Sequence, residues 1–350
     1  MSIQAALTGL SAIAFCAAIV AAPGIESGVP DPITGSFIPA TVIERPELKY
    51  PPHHLARRRE GWVKLNYMVD REGTPYDIVV SGSSDDFYFE AVAIENIQET
   101  RFEPGHIEGR PVDASSMTTI IFTLGSDNLV AGERSLFRKR YRETLMAIKA
   151  GDKAAAKTLM DQMRNGNRNL YENVYYHLAE YGWEARWGTP EGQYQALHLA
   201  TINDQTQAYL PTDLLRKILI QKLRLQAPHY HLAPARRTIA RILELEPTDE
   251  EGSVLAQVSE EVEKFIASND TVSVPITIGR HRQYFHPLVR SSFRLDGIQG
   301  EVLELRVHCD RGYAIFTFTP QILYTINSDW QSCGLVVVGV ADTKLIVIET

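Results

Sequence analysis

The stretch GWVKLNYMVDREGTPYDIVVSGSSD, which runs from Gly61 to Asp85, alternates between two sets of side chains, turns, and alternates again. Successive side chains of a strand point to opposite faces, so each set marks one face. The first strand has Val63, Leu65, Tyr67 and Val69 on its inward face, and Trp62, Lys64, Asn66 and Met68 on the other. Gly73 suits a turn residue with positive φ, and Tyr76, Ile78 and Val80 continue the inward face afterwards. The stretch therefore predicts a β-hairpin.

A helix and a third strand are expected after the hairpin. Ser84 is the predicted helix N-cap, because its hydroxyl can accept a hydrogen bond from a free backbone N–H. Phe89, Ala93 and Ile97 recur at helical spacing and predict an apolar stripe that packs on the sheet. Residues 117–124 then read as a strand. Residues 44–126 are thus predicted to form a small α+β sandwich with one sheet face covered.

The rest of the chain changes character twice. Residues 127–270 carry helical periodicity interrupted by prolines, which predicts α-helical hairpin repeats that loosely resemble the tetratricopeptide type. Residues 271–350 contain strand-like runs separated by Gly and Pro, which predicts a small all-β domain. The predicted fold class is therefore multidomain α+β.

The N-terminal residues indicate export. Residues 1–22 are almost entirely apolar or small, and the apolar part, residues 5–22, is close to the length of about 18 residues at which a helix can span a bilayer. A cleaved signal peptide is favoured, and an uncleaved inner-membrane anchor is the alternative. Residues 23–43, rich in Pro, Gly, Ser and Thr, are the predicted linker. The expected location is the periplasm, or the inner membrane with the chain facing the periplasm.

Cysteine usage agrees with export. Apart from Cys16 in the N-terminal segment, the chain has Cys309 and Cys333, both near its end. An even pair in an exported chain predicts a disulfide, and two buried thiols are the alternative.

Composition and motifs argue against several classes of function. The net charge of −8 and the isoelectric point of about 5.7 make nucleic acid an improbable partner. The sequence has no nucleophile elbow, P-loop or dinucleotide fingerprint, so we predict neither catalytic residues nor a cofactor. His53 and His54, the His229–His231 segment, and the His281 and His286 pair lack a third ligand at metal-site spacing, so no metal site is predicted. Exposed or packed loops are the expected setting for these histidines.

Many landmarks of residues 44–125 follow an order that resembles the C-terminal domain of the TonB family. They are Tyr50, Pro51, Gly61, Val63, Val69, Gly73, Ser81–Ser84, Phe89, Ala91, Ala93, Arg101, Phe102, Pro104, Gly109, Pro111, Val112 and Phe122. The resemblance implies a non-enzymatic module that accepts a segment of an outer-membrane receptor as an added strand at a sheet edge. On that basis the expected protein-binding residues are Tyr76, Ile78, Val79 and Val80 on the second strand and Thr118, Ile120 and Phe122 on the third.

The context of this module differs from that of an energy transducer. Residues 126–350 follow it, and the predicted linker is too short to cross a periplasm even at about 3.1 Å per residue. We therefore expect an exported adaptor that binds protein partners in the cell envelope, with a link to outer-membrane transport. The alternatives are a module that binds peptidoglycan or another glycan, and, in third place, an envelope hydrolase.

Overall fold

The computed structural model describes most of the chain after its N-terminal segment. The described residues are 36–84, 86–124, 134–165, 168–203, 209–226 and 231–350. The predicted signal peptide or anchor at residues 1–22 and the first part of the predicted linker lie outside them. Within the described ranges, no helix combines the length and apolar character needed to cross a bilayer.

The first folded part is a sheet with a helix on one face. Its early elements are β1 (Phe37–Ile38), β2 (Thr41–Glu44), α1 (Pro52–Ala56), β3 (Gly61–Val69), β4 (Pro75–Ser83) and α2 (Phe87–Gln98). The later elements are β5 (Arg101–Glu103), β6 (Gly105–Ile107), β7 (Arg110–Val112) and β8 (Ala114–Phe122). The main sheet has the order β4-β3-β8, and both pairs are antiparallel. β1 pairs with β6, and β2 pairs with β5.

The inward face predicted for the first strand is confirmed. Its four apolar side chains pack with Phe89, Ala93 and Ile97 of α2 in one hydrophobic core. The turn is also as expected, because Gly73 has a φ of 83°. A Cβ atom at this position would lie 2.0 Å from the carbonyl oxygen of Phe102, so glycine is required sterically as well.

The helical part begins at α3, within the region where helices were predicted. Its helices are α3 (Ser135–Ala150), α4 (Lys153–Arg164), α5 (Leu170–Trp187), α6 (Pro190–Ala200), α7 (Thr212–Gln226), α8 (Leu232–Glu244) and α9 (Asp249–Ile266). Capping boxes begin α5 at Asn169 and α9 at Thr248. In each box the capping side chain accepts a hydrogen bond from the backbone N–H of the glutamate at the third helical position, and the side chain of that glutamate accepts one from the backbone N–H of the capping residue. Sequential helices pack against one another.

The C-terminal part is a β-sandwich. Its strands are β9 (Val272–Thr277), β10 (Gln283–Pro287), β11 (Ser292–Gln299), β12 (Val302–Cys309), β13 (Gly312–Thr317), β14 (Tyr324–Thr325), β15 (Gly334–Gly339) and β16 (Lys344–Glu349). One sheet has the order β10-β15-β12-β13 and the other β14-β11-β16-β9. Their shared core also contains Leu232 of α8 and Val262 of α9, so helices close one side of the sandwich.

The second face of the first sheet is covered as well, contrary to the expectation that only one face would be. Trp62 is 7% exposed and Met68 is fully buried. Trp62 packs with Leu170 and Val174 of α5. The alternation of β3 had indicated a half-polar strand, but the later parts of the chain bury this side too.

The predicted disulfide between Cys309 and Cys333 is present. Cys309 ends β12 and Cys333 immediately precedes β15, the strand that pairs with β12. The bond therefore joins two neighbouring strands of one sheet.

Removing the disulfide is expected to destabilise the protein moderately. For the Cys309→Ala, Cys333→Ala double variant we expect the free energy of unfolding to fall by about 3 kcal/mol, because the cross-link restricts the unfolded chain. Urea unfolding measures this, and reduced wild-type protein is the control. A double variant that is as stable as the oxidised wild-type protein would show that the bond contributes nothing.

Candidate functional site

The sheet order leaves β4 and β8 as the two edge strands, one on each side of β3. The residues predicted to bind a partner lie on these strands. Tyr76, Ile78, Val79 and Val80 are on β4, and Thr118, Ile120 and Phe122 are on β8. An edge strand carries unpaired backbone N–H and C=O groups, which is what strand addition requires. The two edges differ, however, in regularity and in what covers them.

β8 has a regular edge. It pairs with β3 without a register shift from Gly61↔Phe122 to Val69↔Ala114. Ile120 and Phe122 are buried in the core beneath α2, so their side chains are not offered to a partner. Met117, in the middle of β8, is 51% exposed. No other described strand pairs with the outer edge of β8, so its backbone is what this edge presents.

β4 is interrupted by two bulges. One lies between the pairs Lys64↔Gly82 and Leu65↔Val80, and the other between Asn66↔Val79 and Met68↔Tyr76. In the second bulge, Asp77 adopts a positive φ of 45°. Aspartate tolerates this left-handed conformation better than most residues, and a bulge turns a side chain in a new direction.

The bulge directs Asp77 into a polar cluster on the β-sandwich. Its carboxylate accepts hydrogen bonds from Arg306 at 2.5 Å, His308 at 2.7 Å and the Tyr313 hydroxyl at 3.0 Å. The side chains of Asp77 and His308 are only 5% and 1% exposed. Burial alone would raise the pKa of Asp77, but the hydrogen bond and charge of His308 and the charge of Arg306 outweigh it and lower that pKa. The cluster holds β4 against β12 and β13.

Tyr76 joins the same contact. Its hydroxyl donates to Asp113 at 3.1 Å, and its ring lies edge-on to Tyr313 with centroids 5.4 Å apart. It was predicted to face the core beneath α2, and this is wrong because the bulge after it breaks the alternation. β10 also packs beside β4. β12 and β13 also pack beside β8. The β4 edge is thus bulged and held by the Asp77 cluster, whereas the β8 edge is straight.

The start of α2 differs from the prediction. The N-cap is Asp86 and not the predicted Ser84. The carboxylate of Asp86 accepts hydrogen bonds from the backbone N–H groups of Tyr88 and Phe89. Ser84 instead accepts from the backbone N–H of Trp62. Asp86 also forms a hydrogen bond with His54 at 2.7 Å. His54 lies on α1 and is only 2% exposed, so it is not on an exposed loop as expected.

His53 has ring contacts with His54 and Tyr88, and the other described histidines singled out by sequence have acidic partners. His231 bonds to Glu191, His281 lies 3.1 Å from Glu90, and His286 bonds to Glu349. His229 lies outside the described residues. Across the described ranges, no three His, Cys, Asp or Glu side chains are grouped so that they could hold a metal ion.

Residues 46–124 match the family model described as Gram-negative bacterial TonB protein C-terminal. This segment, less than a quarter of the chain, is therefore a TonB C-terminal domain. A solution NMR structure of the Pseudomonas aeruginosa TonB CTD is similar, with 24% sequence identity and a TM-score of 0.23. That similarity covers 25% of this chain and 90% of the other. A search of curated proteins gives no match.

Sequence reasoning missed Asp77, the residue that distinguishes the two edges. Aspartate is depleted in strands, so its place between Tyr76 and Ile78 was a signal for a bulge. Its partners on β12 and β13 are more than 200 positions away, and no local pattern could identify them.

Proposed function

We propose that this chain is a non-enzymatic adaptor of the bacterial cell envelope that docks a partner segment as an added strand on β8. The observation that carries the proposal is the regular register and unpaired outer edge of β8 in a domain of TonB C-terminal type. Main-chain hydrogen bonds would supply most of the affinity, because the inward side chains of β8 belong to the core. The docking residues are therefore placed around Thr118 on β8, and the β4 residues are assigned to the contact with the sandwich.

The proposed partner is an extended protein segment in the periplasm, such as the N-terminal segment of an outer-membrane receptor. The match to a TonB C-terminal domain supports a location in the envelope, and the proposed link to outer-membrane transport rests on the same similarity. The helical pairs and the β-sandwich would hold the docking domain in place and give surfaces for a second partner. No step of this proposal needs a catalytic group.

Proline substitution on β8 tests the docking edge. Backbone N–H groups of an antiparallel strand alternate in direction, so of the neighbours Thr118 and Thr119 one points to β3 and the other outward. We make Thr118→Pro and Thr119→Pro separately. The variant that loses a bond to β3 is expected to be destabilised by about 1–3 kcal/mol, because a buried acceptor is left without its donor. The other variant should fold normally. In a pull-down from envelope extract it should no longer capture the proteins that the wild-type chain captures.

A matched pair of substitutions controls for general effects of proline on an edge strand. Ala314→Pro and Ile315→Pro lie on β13, which is the edge of a different sheet. The variant of this pair that folds should capture the same proteins as the wild-type chain. Unchanged capture by the folded β8 variant would contradict docking at β8.

A further inference from the structure

A large cavity lies where the three parts of the protein meet. Its volume is about 590 Å³, which is within the range of small-molecule sites. The outer face of the first sheet forms one wall, α6 and α8 form a second, and β10 with the end of β12 forms a third. This is the sheet face that sequence reasoning expected to be uncovered.

The cavity wall carries basic side chains without acidic partners. Lys64 projects from β3 and Arg237 from α8. Among the described residues, neither side chain forms a hydrogen bond or ion pair with a carboxylate. The neighbouring Arg236, by contrast, pairs with Glu263. His198 of α6 faces the same space.

The two carboxylates that line the cavity are already engaged. Asp310 accepts a hydrogen bond from the Ser115 hydroxyl at 3.1 Å. Glu349 accepts from His286 at 2.9 Å and from the backbone N–H groups of Val289 and Arg290 at 2.8 and 3.0 Å. Neither carboxylate forms an ion pair with Lys64 or Arg237, so among the described residues the charges of these two side chains have no direct acidic partner.

The protonation behaviour agrees with an uncompensated cluster. Burial, and to a smaller extent the charge of Arg237, lower the pKa of Lys64 to about 8. Burial of the guanidinium group also lowers the pKa of Arg237, although the residue as a whole is exposed. The pKa of His198 is lowered well below its ordinary value by burial and then by Lys222, Lys64 and Arg237. Holding like charges together without a counter-charge costs free energy.

Aromatic rings complete the wall. Trp62, Tyr194, Tyr284 and Phe285 all line the cavity. Tyr194 is stacked on His231 with ring centroids 4.4 Å apart, which holds its ring in a fixed orientation. The cavity thus offers aromatic rings beside polar and charged side chains, the two kinds of group that orient a small organic ligand.

We propose that this cavity is a binding site for a small organic anion, whose carboxylate or phosphate group is held by Lys64 and Arg237 and whose ring contacts the aromatic wall. The anion supplies the counter-charge that no described carboxylate gives to Lys64 or Arg237, and charge-assisted hydrogen bonds to the lysine and the guanidinium group hold it. Ser115, Ser116 and Met117 of β8 also line the cavity, but binding of the anion needs no partner protein.

Calorimetric titration at pH 7 with phenyl phosphate, benzoate, inorganic phosphate and benzyl alcohol tests the proposal on the full chain. At least one of the two aromatic anions should bind, and should bind more tightly than inorganic phosphate or the neutral alcohol. Comparison of phenyl phosphate with benzoate identifies the acidic group that the site prefers. Quenching of the intrinsic tryptophan fluorescence, to which Trp62 contributes, gives a second readout. No binding of either aromatic anion, or equal binding of benzyl alcohol or inorganic phosphate, would overturn the proposal.

Charge-removing variants locate the site. Lys64→Met and Arg237→Met should each weaken binding at least about tenfold, since each removes a charge-assisted hydrogen bond. The exposed Lys217 is the matched control, and Lys217→Met should bind as the wild-type chain does. Lys64→Met should also melt no lower than the wild-type protein, because it removes an unpaired charge. An unchanged affinity in both cavity variants, or an equal loss in the control, would overturn the assignment. Lys64→Gln replaces Lys64→Met if the latter does not fold.

Discussion

Asp77→Asn is expected to lower the free energy of unfolding by about 3–5 kcal/mol, the range measured when one partner of a buried ion pair is removed. The variant keeps the shape of the side chain, and asparagine tolerates the positive φ of the bulge. It removes the charge that Arg306 and His308 face in a site where Asp77 is only 5% exposed. Chemical unfolding measures the effect.

Asp296→Asn is the matched control for this prediction. Asp296 pairs with Arg294 on the surface, where the two side chains are 55% and 39% exposed. Exposed ion pairs contribute little, so a change of no more than about 1 kcal/mol is expected. Equal effects of the two variants would show that the Asp77 cluster does not hold β4 on the sandwich.

The Asp77 cluster should also give the protein an acid-sensitive component of stability. The folded-state pKa of Asp77 lies below its ordinary value of 3.8. The stabilisation is therefore complete above that value and is lost as the pH falls through the lowered folded-state pKa. The difference in stability between wild-type protein and Asp77→Asn should shrink as the pH is taken below 3.8. A difference that stays constant with pH would exclude this ionisation as the cause.

Glu90→Gln is expected to be as damaging as the Asp77 variant, again by about 3–5 kcal/mol. Glu90 lies in the first turn of α2, is 1% exposed, and contacts Arg280, His281 and the Ser83 hydroxyl. Burial would raise its pKa, but hydrogen bonds from Arg280 and Ser83 and the charge of His281 lower it. Neutralising the carboxylate thus removes the negative charge that Arg280 and His281 contact at the interface with the sandwich.

The effect of Glu90→Gln should be local as well as global. Hydrogen exchange should accelerate in residues 279–282, the loop that contributes Arg280 and His281. Glu95→Gln is the control on the same helix, because the Glu95–Lys49 pair is 52% and 68% exposed. If Glu95→Gln and Glu90→Gln lower the free energy of unfolding equally, the buried contacts of Glu90 contribute no more to stability than an exposed ion pair does.

Local patterns predicted the elements, and distant contacts decided the site. The alternation of β3, the stripe of Phe89, Ala93 and Ile97, and the helical segments are all periodic signals that a short window contains. The N-cap of α2 was predicted two residues too early because residues 83–86, with the sequence SSDD, are four neighbouring residues that can all cap a helix. The residue that caps depends on where β4 ends, which its register with β3 sets.

The covered sheet face had no local signature. Lys64 and Asn66 occupy the positions where a half-exposed strand carries polar side chains, so the pattern indicated solvent. The structure places helices and the sandwich there instead and encloses the cavity. The same polar residues that argued for an exposed face are therefore candidates for ligand binding.

Hydrogen exchange at β8 tests the central proposal most directly. The captured partner segment is added to the full chain, and the exchange of amides in residues 117–119 is compared with and without it. The proposal predicts that the outward amides slow at least about tenfold, since they become donors to an added strand. Protection elsewhere with unchanged exchange along β8 would contradict strand addition at this edge.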